Sequence, residues 1–169
     1  MKHWKPLVAL VLVAAMIVVM QVQGKALVTP VSPRGIIDVE FARTAARWQQ
    51  LQLFLNYEAL TRNLQLDFLF IFSYVFFFVS ALKFFSDRNG WTKWPPRFIT
   101  MGIAAGFFDI AENFLLIIVV NGRFDTDVLP VVWVLALVKF ILAGIVLLYL
   151  LRCLTSLFSP PRRILGGEA

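Results

Sequence analysis

Four apolar runs, long enough or nearly long enough to cross a bilayer, constrain this chain more than any other feature. They are PLVALVLVAAMIVVMQV at 6–22, LQLDFLFIFSYVFFFVSALKFF at 64–85, FITMGIAAGFFDIAENFLLIIVV at 98–120 and VLPVVWVLALVKFILAGIVLLYLL at 128–151. A helix crosses ~30 Å of hydrocarbon with roughly 20 residues, so the last three qualify outright. The first is shorter and follows Lys2 and Lys5, a pattern that fits both a signal peptide and an anchor. Val22-Gln23-Gly24 makes a poor cleavage site and no A-x-A follows, so we expect an uncleaved anchor. With 60% hydrophobic residues and 17 phenylalanines, the chain lacks the polar surface a soluble domain of 169 residues needs. The expected fold is all-α: a four-helix transmembrane bundle forming a single integral membrane domain over 1–169.

The net charge of +6 does not point to nucleic acid, because the basic residues sit at the ends of the apolar runs and form no stripe. There they set orientation. Lys2 and Lys5 precede the first run; Arg88, Lys93 and Arg97 outweigh Asp87 in the 86–97 connection; Arg152, Arg162 and Arg163 outweigh Glu168 in the 152–169 tail. The 121–127 connection is acidic, with Asp125 and Asp127 against Arg123. Positive segments stay inside, so both termini and the 86–97 loop are expected in the cytoplasm, with 23–63 and 121–127 outside. His3 and Cys153 each stand alone, so no disulfide, thiolate metal site or histidine triad is expected, and no metal or cofactor.

The outer segment is more than a linker. After TPVSPRG, whose prolines and glycine favour turns, Phe41, Thr44, Trp48, Leu51 and Leu55 recur at spacings of 3, 4, 3 and 4, with Arg43, Arg47 and Gln50 opposite. This predicts an extracytoplasmic amphipathic helix that either lies on the membrane interface or caps the bundle. Asn56 reads as the cap of the next helix, and Glu58–Arg62 as an i,i+4 pair at its start.

The third run carries polar groups where hydrocarbon belongs. At about 100° per residue, Gly102, Gly106, Asp109 and Asn113 share one arc, flanked by Ala105 and Glu112, while Ile103, Phe107, Ile110, Phe114 and Ile118 take the other face. The small, polar face should meet protein and the bulky face lipid, with Gly102 and Gly106 permitting close helix approach. Lys139 lies about as deep in the fourth run as Asp109 in the third, ~16 Å at 1.5 Å per residue, which predicts an ion pair. Glu112 is left without a cation of its own. In the second run Asn63, Asp67, Tyr74 and Ala81 form a stripe, bringing Asp67 and Tyr74 to the level of Glu112 and Asn113. Two readings follow: a hydrogen-bonded core with Glu112 neutral and bonded to Tyr74 or Asn113, or an outward-open polar pocket that handles protons, a cation or a polar head group; Arg62 is within reach of Asp67.

The segments IIDVEFA, LDFLFIFSYVFFF and GFFDIAEN, within residues 36–120, resemble an uncharacterised family of small bacterial four-span membrane proteins. Those proteins share the L-D-F-L-F opening of span two and a D-x-x-E-N in span three, which draws attention to Asp67, Tyr74, Asp109, Glu112 and Asn113. The family brings no activity with it. Lipoprotein signal peptidases are similar in size and span number, and FDIAEN is similar to their F-N-x-A-D, but amide and acid are exchanged at Asp109 and no N-x-x-D-R is present. The expected function is non-enzymatic: a small multi-pass protein of a bacterial inner membrane acting through helix and partner contacts. Its partners would be membrane lipid and another membrane protein or a second copy. The alternative is a module that binds or translocates a small ligand, lipid or proton at the carboxylate cluster; an intramembrane acid–base hydrolase stands third.

Overall fold

The computed structural model describes residues 4–89, 95–122 and 126–155. The segments 1–3, 90–94, 123–125 and 156–169 lie outside the described residues, and with them Lys2, Lys93, Arg123, Asp125, Arg162, Arg163 and Glu168 of the orientation reading. Among the described residues six α-helices follow in order: α1 Trp4–Gly24, α2 Ile36–Glu40, α3 Ala45–Gln52, α4 Tyr57–Asn89, α5 Pro95–Val120 and α6 Leu129–Leu154. Short 3-10 turns at Lys25–Leu27 and Thr126–Val128 complete the described secondary structure, apart from an isolated bridge between Thr29 and Ser32. The fold is an all-α bundle in which four helices are long and apolar enough to cross a membrane.

The helices outrun the apolar segments that announce them. α4 covers 33 residues, ~50 Å at 1.5 Å per residue, well beyond a ~30 Å hydrocarbon core. Local polar chemistry extends it. The Asn56 side-chain oxygen accepts from the Ala59 amide at 3.0 Å, and Arg62 meets Glu58 at 2.9 Å one turn later. The paired prolines that open α5 occupy the first helical turn, where a missing amide hydrogen is harmless.

α4 packs between α1 and α5, and α6 packs against α5. α1 is peripheral, burying only Ala9 and Val13. As the sequence pattern requires, Ile103, Phe107, Ile110 and Phe114 are exposed on α5 while Gly102, Ala105, Gly106, Asp109, Glu112 and Asn113 are buried. Ile118 is half-buried. The buried apolar residues form two clusters. One joins Leu60, Leu64, Leu116, Leu129 and Val132 to the connecting segment; the other joins Ile71, Phe78, Leu82, Val146 and Leu150 toward the opposite end. The polar residues Asp67, Asp109, Glu112, Asn113 and Lys139 fall between them along the helices, and Tyr74 belongs to the second cluster.

The connection between α1 and α4 departs from expectation. In place of one helix starting at Phe41, it contains two short helices separated by a break at 41–44. Thr44 lies outside the second helix and caps it, accepting from the Arg47 amide at 3.2 Å. The first, α2, was not foreseen, since five residues are too few for a periodic signal. Gly35, at φ +62°, turns the chain into α2, and Asp38 clasps Arg34 through its backbone amide at 2.8 Å and its guanidinium at 2.7 Å. Of the two placements left open for the amphipathic helix, α3 takes the cap: Trp48 and Leu51 are buried in the same cluster as Leu60, Leu116 and Leu129.

Candidate functional site

Lys139 Nζ is the centre of the buried polar group. It donates to Asp109 Oδ1 at 2.7 Å, the ion pair that matched depth predicts. Two further carboxyls share it: Glu112 Oε2 at 2.8 Å and Glu40 Oε1 at 3.3 Å. An ammonium has three donors, so one lysine has capacity for three acceptors. The Glu112 contact is an ion pair out of hydrogen-bonding alignment, and both Glu112 oxygens lack a hydrogen-bond partner.

The expected partners of Glu112 are therefore corrected. Tyr74 donates instead to Asp109 Oδ2 at 3.0 Å, and the Asn113 amide donates to Asp67 Oδ2. Both hydroxyl and amide are drawn to an aspartate that faces them across the α4–α5 contact, while Glu112 turns toward α6. Arg62 does not descend to Asp67; it stays with Glu58, and both side chains are exposed. The helix-packing glycines do what their spacing implies. A Cβ on Gly106 would stand 2.5 Å from Val75 Cγ2, and one on Gly102 3.2 Å from the Phe78 ring, so α4 and α5 approach closely beside the site.

Glu40 is the residue that sequence reasoning missed. It ends α2, in a segment expected outside the membrane, yet it reaches a lysine eleven positions into α6. Phe41 stacks on Phe140 at 5.9 Å and Arg43 lies 5.0 Å over the Trp133 ring, so the segment descends along α6. Irregular backbone at such depth is tolerated where protein buries it. The available signal was an acid flanked by apolar neighbours in IIDVEFA, a composition suited to a core.

No protein-family model, curated protein or solved structure matches the chain. The chemistry of the site thus carries the functional reading. Four carboxyls, Glu40, Asp67, Asp109 and Glu112, stand within one chain of contacts around one ammonium. Fully ionised, they would leave a large uncompensated negative charge in a low-dielectric interior, which protons relieve. Among the described residues no group of three or more His, Cys, Asp or Glu side chains is arranged to hold a metal ion.

Glu40, outside the spanning helices, reports the balance. Burial pushes its carboxyl up to about 7, Lys139 pulls the other way, and the charges of Asp109 and Asp67 add to the rise. A carboxyl raised on docking binds a proton more tightly docked than free. Its contribution to docking is complete below the ordinary value of 4.5 and is lost as pH rises through about 7. Amide hydrogen exchange across 36–52, corrected for intrinsic rates, should therefore quicken from acid to mildly alkaline buffer. Glu40→Gln should flatten that dependence; an unchanged pH profile in the variant would assign the effect elsewhere.

Proposed function

We propose that this is a non-enzymatic multi-pass protein of a bacterial inner membrane, whose polar centre binds and releases protons. The observation that carries this reading is the sharing of Lys139 Nζ by Glu40, Asp109 and Glu112, at 3.3, 2.7 and 2.8 Å. One acid matched to one lysine suffices as helix glue; three acids exceed it, and the excess charge is most simply balanced by exchangeable protons. The positive-inside pattern supports an orientation with both termini and the α4–α5 loop in the cytoplasm, and α2 and α3 on the outer side. The bacterial assignment rests on the resemblance carried by L-D-F-L-F at 66–70 and D-x-x-E-N at 109–113.

Infrared difference spectroscopy of the protein in lipid tests the reading. At neutral pH the spectrum should contain the carbonyl stretch of a protonated carboxyl, weakened in Glu40→Gln and lost on alkaline titration. A spectrum with carboxylate bands alone at neutral pH would overturn it. A second reading, in which the site only fixes helices for contact with a partner or a second copy, draws on the direct Asp109–Lys139 pair across α5 and α6. It expects any protonated-carboxyl band to persist through the alkaline titration, so the titration separates the two.

A further inference from the structure

We infer that a file of water molecules enters the bundle from the α2–α3 end, beside the end of α1, and runs past Asn63, Asp67 and Asn113 to Glu112. Among the described residues, the buried side-chain nitrogen and oxygen atoms without a hydrogen-bond partner are both amide atoms of Asn63, Asn113 Oδ1, both oxygens of Glu112, Glu40 Oε2 and, apart from these, Arg88 Nε. Those of Asn63, Asn113 and Glu112, on α4 and α5, lie next to, or within one turn of, the Asn113–Asp67 hydrogen bond, and Glu112 Oε2 is in addition ion-paired with Lys139 Nζ at 2.8 Å.

Helix register and hydrogen bonds connect these atoms into a line. Asn63 and Asp67 are four residues apart on α4, one turn and ~6 Å of rise. Asp67 accepts from Asn113 Nδ2, which leaves Asn113 Oδ1 unpartnered. Asn113 adjoins Glu112 on α5, and Glu112 meets Glu40 through Lys139. The outer end of the line is Asn63, whose Nδ2 would lie 3.9 Å from a Cβ on Gly24, where α1 ends and exposed Lys25 follows.

The burial of these groups excludes bulk solvent as their ordinary partner. Asn63 and Asn113 are each 1% exposed and Glu112 is 0% exposed. A buried polar atom is seldom left unsatisfied, and ordered water is the usual remedy where several polar groups converge. Asn63 offers both a donor and an acceptor, the complement of water itself. An aqueous file would also let protons travel between the outer surface and the cluster. That use rests on the proton-binding reading; the hydration does not.

Cysteine accessibility tests the path without relying on any proton signal. In a Cys153→Ser background, N63C and N113C would be reconstituted in vesicles and exposed to a small, water-soluble, membrane-impermeant thiol reagent. Ile71→Cys, on α4 but in the apolar cluster and 2% exposed, is the buried control. N63C is expected to react at least about tenfold faster than I71C, equivalent to ~1.4 kcal/mol easier access. Reaction should come only from the side that carries α2 and α3, with N113C intermediate. If N63C fails to fold, the N113C-to-I71C ratio decides. Reactivity of both variants no greater than that of I71C, reaction only with a lipid-soluble reagent, or reaction from the opposite side would each overturn the path. A reactive N63C in a protein without the neutral-pH carboxyl band would keep the path and remove the proton-binding reading.

Discussion

Replacing Lys139 with methionine is expected to destabilise the bundle by ~3–5 kcal/mol, the range found when one partner of a buried ion pair is removed. The size follows from what remains. Methionine fills much of the lysine volume, so no large cavity opens. However, Asp109, Glu112 and Glu40 lose the ammonium that touches all three. Thermal unfolding in detergent should fall sharply relative to the native chain, with poor accumulation in the membrane. Neutralising the three acids that touch Lys139 in the same molecule should recover most of the loss: D109N/E112Q/E40Q/K139M is expected to be more stable than K139M alone, because only Asp67, bonded to Asn113, then remains as a buried acid. Each single amide variant should be milder, since Lys139 keeps two carboxyls. If K139M melts like the native protein, the cluster is hydrated enough to need no internal cation, and the buried electrostatic centre is ruled out.

The parts of this centre that were legible in the sequence are those fixed by a single helix. Periodicity alone places Gly102, Gly106, Asp109 and Asn113 on one face of α5, and depth alone pairs Asp109 with Lys139. Those inferences need only rise per residue and the cost of a charge in hydrocarbon. What was not legible depends on three-dimensional paths between helices. Glu112 and Tyr74 lie at matching depth, but depth does not specify azimuth, and Tyr74 turns to Asp109. Glu40 is the clearest case. Its position is set by the Gly35 turn, the Arg34–Asp38 clasp and the contact of Phe41 with Phe140, none of which has a repeating pattern. The same descent explains why a helix drawn continuously from Phe41 breaks: Ala42 is fully buried, and the chain must turn back outward before Thr44 caps α3.

The close approach of α4 and α5 gives the second large effect. Gly106→Ala should destabilise the bundle by ~1–3 kcal/mol, the usual consequence of overpacking a filled core. Its Cβ would stand 2.5 Å from Val75 Cγ2 and 3.5 Å from Ile71 Cγ2, so α4 must withdraw or Val75 must leave its rotamer. Val75 is β-branched and stiff at χ1, which leaves little room for the second course. Gly102→Ala meets the Phe78 side chain at 3.2 and 3.3 Å, a contact relieved by a few tenths of an ångström, and should be milder. The double variant G106A/V75A removes the clashing methyls and should regain stability over G106A alone; unfolding curves of the four proteins provide the cycle. The effect reaches the polar centre as well. Tyr74 Oη would lie 3.8 Å from the new Cβ, and Tyr74 is the hydrogen-bond donor to Asp109. If α4 withdraws, that bond lengthens and Asp109 depends more heavily on Lys139, so D109N should be less harmful to the native chain than K139M is to G106A. Equal stabilities of G106A and G102A, with no recovery from V75A, would mean that the helices are not held at this distance by the missing side chain.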